Sequence, residues 1–300
     1  MRRNRPSRTA LQIGQAVVLV GGDPEISPLL PAGLVETTVR LLAASGRVSE
    51  RKLRRLGEPL YRRVANFLGD LMGVPGQMLH VALRKRLVTE EVTAALAGGC
   101  RQVLVLGAGL DTLALRLAPA HPESTFVEVD HPASQALKQR ALARLGTLPA
   151  NLQLVPLDLG SSDLVAALSA AGAWDASAPG VVVAEGVLMY LEPTAVARLL
   201  GQLHAAGGAG SVFLFSYLRR DAAGRLLLGK RPRLAGFSLA LGGEPLRWSV
   251  GSGELAGFLA AVGWRLEVER FDLRERYLRP ADLAARPLGE IEHYALARRV

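Results

Sequence analysis

The sequence predicts an α/β fold: a doubly wound, mostly parallel sheet with an N-terminal helical cap and a late insertion. Three observations predict it. From residue 102 onward, short apolar runs alternate with stretches of helical length, a pattern that implies right-handed crossovers between parallel strands. The first run, Val103–Leu106, ends in a turn containing Gly107 and Gly109 and leads to Asp111, where a helix is expected to begin. Pro132 and Pro193 each fall in the first turn of a predicted helix, where a missing N–H costs nothing.

Taken in order, residues 1–10 read as a flexible basic arm, because Gln12, Gly14 and Gln15 interrupt any apolar signal core after MRRNRPSRT. Residues 11–96 read as a helical cap or lid. Apolar residues recur at three and four over Leu34–Leu42 and Leu53–Met72, with breaks at Gly46, Gly57, Pro59 and Gly73–Pro75, so this part divides into short helices. A further helix over His80–Leu96 carries Arg84, Lys85 and Arg86 and leads into the first strand.

The core, residues 97–300, continues as helix Asp111–Leu117, strand Thr125–Val129, helix Pro132–Leu145, strand Leu152–Val155 and helix Ser162–Ala171. Strand Val181–Ala184, helix Pro193–Ala206 and strand Val212–Ser216 follow. From about residue 217 to 250 the alternation stops, and a glycine- and arginine-rich segment too long for an ordinary connection is expected to form part of a substrate cap. Helix Gly253–Val262 and strands Trp264–Glu269 and Ile291–Arg298 complete the domain.

Composition narrows the function. The 300 residues suffice for a large core, and although 49% are hydrophobic, no apolar run approaches the ~18 residues of a membrane span. A soluble, cytoplasmic protein with no membrane partner is expected. The one cysteine, Cys100, excludes an internal disulfide framework, suits a reducing compartment and reads as structural. The formal charge of +9 comes largely from the N-terminal arm, Arg47–Arg63, Arg84–Arg86 and the C-terminal third, with few aromatics interleaved for base stacking. It reads as a solvated arginine-rich surface, and no nucleic-acid partner is expected. Neither a His/Cys/Asp cluster with metal-ligand spacing nor a G-x-S-x-G elbow is present in the sequence.

The chemistry is concentrated after the first strand. Gly107 and Gly109 lack a Cβ, which lets a ligand approach the backbone closely while the first free N–H groups of the next helix face it. The second strand ends in Glu128 and Asp130, about twenty residues past the glycines, where an acid can accept both hydroxyls of a ribose. An adenosine-containing ligand fits. A dinucleotide is disfavoured, because Thr112 occupies the place of the third small residue of that fingerprint.

Five segments together carry a family resemblance: LRKR at Leu83–Arg86, QVLVLGAGLDT, FVEVDHPA at Phe126–Ala133, VPLDL at Val155–Leu159 and AEGVLMYLEP at Ala184–Pro193. The chain resembles the leucine carboxyl methyltransferase family of S-adenosyl-L-methionine-dependent enzymes, including its bacterial branch acting on small molecules. A weaker echo runs through GEPLRWSVGSGELAGFLAAVGW, so the likeness spans about residues 83–265. The resemblance implies a Rossmann-like class I methyltransferase sheet with S-adenosyl-L-methionine as cofactor. It implies that Arg84 pairs with the methionyl carboxylate, a contact suited to a guanidinium. Gly107 and Gly109 would give room to the methionine and ribose, Asp130 would take the ribose hydroxyls, and Asp158 with the backbone of Leu159 would meet the adenine amino edge. Glu185 would lie near the cofactor at the end of the fourth strand, with Tyr190 on the pocket wall; these two are the candidate catalytic residues. On the residues alone, Asp158 reads equally well as a helix cap, Arg84 as a surface arginine and Tyr190 as core. The chain departs from the family at Leu113, where an arginine is common, and in its N-terminal segment, which shows only traces of the family pattern.

The expected activity is O-methylation of a small-molecule carboxylate or acidic hydroxyl, possible in secondary metabolism. A carboxylic acid is already ionised at neutral pH and needs no general base, and none of the five histidines falls in the AEGVLMYL turn. Two alternatives remain at this point: methylation of a protein C-terminal carboxylate, and a non-catalytic nucleic-acid-associated binding module. An NAD-linked oxidoreductase is a weaker one.

Overall fold

Successive strand residues face opposite sides of a sheet, and in this chain both sides are apolar. The computed structural model describes residues 6–71, 75–146, 148–172, 174–227, 245–279, 285–289 and 291–300. Five helices come first: α1 (Arg8–Gly21), α2 (Leu34–Ala44), α3 (Glu50–Leu56), α4 (Pro59–Leu71) and α5 (Gln77–Ala97). Strand and helix then alternate as β1 (Gln102–Leu106), α6 (Leu113–Leu117), β2 (Thr125–Asp130), α7 (Pro132–Leu145), β3 (Leu152–Pro156), α8 (Leu164–Ala171), β4 (Gly180–Ala184), α9 (Pro193–Ala206) and β5 (Val212–Tyr217). The chain finishes with the short strands β6 (Arg219–Arg220) and β7 (Val250–Gly251), α10 (Leu255–Ala260), β8 (Trp264–Val268), α11 (Leu273–Tyr277) and β9 (His293–Arg299).

Seven strands form one sheet in the order β3-β2-β1-β4-β5-β9-β8, while β6 and β7 pair separately. The strands from β3 to β5 are parallel, and β9 runs antiparallel to both β5 and β8. On one face Val103, Val105, Val181 and Val183 join a core with Leu79, Leu83 and Leu87 of α5. On the other, Leu104, Leu106, Val182 and Ala184 pack with Leu164 of α8 and Leu199 and Leu200 of α9. Burying each such side chain contributes about 1.5–3 kcal/mol.

Three features depart from the sequence expectation. Helix α1 begins at Arg8, so residues 8–10 belong to a capped helix rather than an arm: the Ser7 Oγ accepts from the Ala10 N–H, and the Ser7 N–H donates to Ser134 Oγ. Residues 1–5 lie outside the described residues. Helix α5, expected within a lid, instead supplies the core of one sheet face, with ten residues buried from Leu79 to Val92. Helix α6 starts at Leu113 rather than Asp111, and the first N–H of that helix is taken by Asp111 Oδ1 at 2.6 Å. Of the segment expected as an insertion, residues 228–244 lie outside the described residues; its two flanks meet as the β6–β7 pair.

Candidate active site

A doubly wound sheet opens a crevice where neighbouring strands send their connections to opposite faces, and here that point lies between β1 and β4. A cavity of about 300 Å³ occupies it. The turn after β1 bends sharply because Gly107 takes φ +61°, and a Cβ there would stand 2.0 Å from Val187 Cγ2. Gly109 takes φ +50°; its hypothetical Cβ would meet that of Ala10 at 2.8 Å, so glycine lets the turn pack directly on α1. The Gly109 N–H donates to Asp130 Oδ2 and the His131 N–H to Asp130 Oδ1, orienting this carboxylate at the end of β2. Burial pushes the Asp130 pKa up, and the two backbone donors pull against that rise.

Beside the turn runs a chain of alternating charges. Arg84 on α5 lies 2.9 Å from Glu185 at the end of β4 and 2.8 Å from Glu292 just before β9. Its neighbour Lys85 lies 2.9 Å from Glu185 and pairs with Asp111. Lys138 on α7 donates to the Asp111 backbone carbonyl at 2.5 Å and pairs with the fully buried Glu128 of β2. Burial works against the Lys85 charge, but Asp111 and Glu185 raise its pKa on balance. Burial likewise opposes the Arg84 cation and is more than offset by Tyr294, Glu185 and Glu292 around it. His80, buried one turn earlier beside Arg84, is pushed down to about 3 and is neutral. Buried charges of this number are costly, which makes the cluster a candidate site.

The cavity also has apolar lining. Ile13 and Val17 of α1 and Leu34 of α2 form one apolar group along it, and Met189, Leu218 and Ile291 another. Leu246 joins them, held by the adjacent Arg247, whose N–H donates to the Met189 carbonyl at 2.7 Å. Asp158 and Leu159, after β3, also line it; Asp158 accepts from the Gly160 N–H at 2.9 Å and from the Ser161 hydroxyl at 3.1 Å.

The model of the family described as leucine carboxyl methyltransferase matches residues 48–204, just over half of the chain. The chain belongs to the leucine carboxyl methyltransferase family. A relative from Mycolicibacterium vanbaalenii, provisionally named an S-adenosyl-L-methionine-dependent methyltransferase, is 34% identical over 228 residues, 73% of each chain. A similarly named protein from Mycolicibacterium gilvum is 35% identical over 221 residues, 70% of each. Among solved structures, a duf574-family protein from Streptomyces avermitilis matches 88% of this chain and 97% of its own, with 17% identity and a TM-score of 0.57. A provisionally named methyltransferase from Thermobifida fusca matches 92% and 97%, with 17% identity and a TM-score of 0.54. The methyltransferase fold and the dependence on S-adenosyl-L-methionine follow for this family member.

The structure brings Arg84, Gly107, Asp130, Asp158, Leu159, Glu185 and Tyr190 to one cavity, with Gly109 behind its surface in the same turn. Asp158 caps its own turn, whereas the N-cap of α8 is Asp163. Sequence reasoning missed the ionic roles of Lys85 and Asp111, and Glu292 and the α1 wall altogether. Lys85 lay beside a residue singled out for its family motif. Glu292 carried no signal, lying 208 positions from its partner Arg84.

Proposed function

We propose that this methyltransferase acts on an oxygen of a small acceptor, a carboxylate or an acidic hydroxyl, carried on an apolar body. The observation that supports this reading most is that the charged cluster and apolar side chains of α1, α2 and Ile291 line one cavity. The residues fit the cofactor's chemistry: a buried guanidinium suits a carboxylate, and the buried Glu292 Oε1, which has no hydrogen-bond partner among the described residues, suits a cation. In this reading Arg84 and Glu185 hold the amino-acid end, the Gly107–Gly109 turn gives it room, Asp130 takes the ribose hydroxyls, and Asp158 and Leu159 take the adenine. When bound, S-adenosyl-L-methionine supplies a methyl carbon activated by its sulfonium.

The protein's contribution is orientation and exclusion of water. Positioning an acceptor oxygen in line can contribute about 7–11 kcal/mol, and the apolar lining keeps water from the reacting centre. The one imidazole among the described lining residues, His131, is engaged at Nδ1 by the Ala133 N–H. Glu185 and Glu292 both face Arg84. An acceptor already ionised near pH 7 therefore suits the site better than an alcohol, which needs a base. Tyr190, on the wall of the cavity, would orient the acceptor. The N-terminal helices and the flanks of residues 217–250 would bound the acceptor side, as a cap over the core.

Calorimetric titration with S-adenosyl-L-methionine, S-adenosylhomocysteine and NAD, followed by transfer of labelled methyl to panels of carboxylates, phenols and alcohols, tests this. Binding of the two sulfur nucleosides but not NAD, with label recovered as methyl esters or aryl methyl ethers, is the expected result. Label recovered on nitrogen acceptors, or on C-terminal carboxylates of proteins alone, overturns the acceptor assignment.

A further inference from the structure

The reading above lets Glu292 suit a cation but assigns it no particular part of the cofactor. Its Oε2 accepts from Arg84 at 2.8 Å, and its Oε1 is buried without a hydrogen-bond partner among the described residues. That unpartnered oxygen lies 3.8 Å from where a Cβ on Gly186 would stand, and both residues line the cavity. The Glu292 side chain is 9% exposed.

The contiguous ion pairs set two cations, Arg84 and Lys85, against three carboxylates, Asp111, Glu185 and Glu292. One negative charge is left over, and without Glu292 the set would be neutral. Around it, the Lys138–Glu128 pair is neutral as a unit, Arg116 and Asp130 carry opposite charges, and so do Arg270 and Asp272, which line a second, small pocket with Glu292. The cofactor bears a sulfonium and its product, S-adenosylhomocysteine, a neutral sulfur. We propose that Glu292 is the residue by which the site prefers the cationic cofactor to its neutral product, favouring loading with the first and release of the second. This rests on the cofactor placement proposed above. A unit charge several ångströms away in a protein interior is worth at least about ten-fold in affinity.

Calorimetry on the whole protein tests it, using three probes: S-adenosyl-L-methionine, S-adenosylhomocysteine, and an analogue with an amine in place of the sulfonium methyl. Glu292→Gln is expected to weaken both cationic probes at least about ten-fold while changing S-adenosylhomocysteine less than about two-fold, and Glu292→Asp to keep most of the preference. An equal loss for all three probes would reduce Glu292 to a prop for Arg84 and overturn the inference, as would no change. If Glu292→Gln does not fold, the wild-type protein decides: the amine analogue should bind more tightly than the product while protonated and lose that advantage once deprotonated. A pH-independent affinity for the amine analogue overturns the inference. Failure of all three probes to bind wild-type protein would instead overturn the cofactor placement on which it rests.

Discussion

Lys85 joins two carboxylates in a buried place, and a single substitution there would take from Asp111 its ion pair while leaving Glu185 with Arg84 alone. Burial works against the Asp111 charge, yet Lys85 keeps its pKa well below the ordinary 3.8. Lys85→Met should therefore destabilise the fold by about 3–5 kcal/mol near neutral pH, as breaking a buried pair does. The sign with pH follows from the depressed carboxylate: its stabilisation is complete above 3.8 and fades as pH falls toward the lower, folded-state value. Urea unfolding should then show the gap between wild type and Lys85→Met narrowing below about pH 4; a constant gap would deny the pairing. A second prediction concerns Asp130, whose two oxygens are aimed by the Gly109 and His131 N–H groups. Asp130→Asn should bind S-adenosyl-L-methionine at least about ten-fold more weakly by calorimetry, and unchanged affinity would move the ribose elsewhere. At this scale the sequence was legible where a motif concentrated the chemistry, as at Gly107, Asp130 and Glu185. It was opaque where a partner arrives from a distant strand, as Glu292 does, since no local spacing encodes a tertiary ion pair.

At the scale of elements, α5 and α4 make opposite cases. Both were read as parts of a cap, but α5 is buried on nearly all sides, its Leu87 fully so, whereas α4 shows Leu60 and Phe67 at 74% and 67% exposed. Leu87→Ala should cost about 2–5 kcal/mol in urea unfolding by leaving a cavity between α5 and the sheet. Leu60→Ser should change stability by no more than about 0.5 kcal/mol. Comparable losses for both would mean that α4 is packed in solution. The strand–helix alternation from β1 to β5 was legible because β1, β4 and β5 are apolar on both faces and each helix is bounded by proline, glycine or a capping residue. Helix α1 was not: Val17–Val20 is an unbroken apolar run, without the period of an exposed helix, because α2 and α5 cover it on different sides. Gly14 adds to this, its hypothetical Cβ only 3.1 Å from Leu42 Cδ2, which allows α1 and α2 to approach closely. The antiparallel direction of β9 was equally hidden, since two-residue alternation reads the same either way along a strand.

Over the whole molecule, the charge of the surface and that of the site have opposite signs. The chain carries +9, with seven basic and two acidic residues between Arg47 and Arg63 alone, yet the contiguous ion pairs beside the cavity hold one more carboxylate than cations. Among the described residues no helix is long and apolar enough to cross a membrane. These two fields respond differently to salt. Exposed charges are screened within about 10 Å at 0.1 M salt, whereas buried pairs are screened far less. With Arg84 and Lys85 at 5% and 7% exposed, cofactor affinity should change by less than about three-fold between 50 and 500 mM salt. If the basic surface bound nucleic acid as its main task, affinity for RNA would instead fall by about 10³ or more over that range, as release of several phosphate counterions requires. Parallel titrations of cofactor and of a short RNA across the salt series separate the two. A flat cofactor series beside weak, steeply salt-dependent RNA binding assigns the positive charge to a solvated surface and the chemistry to the buried negative cluster. A cofactor affinity that collapses with salt would mean that the cluster opens to solvent, and that the burial of Arg84 and Lys85 does not persist in solution.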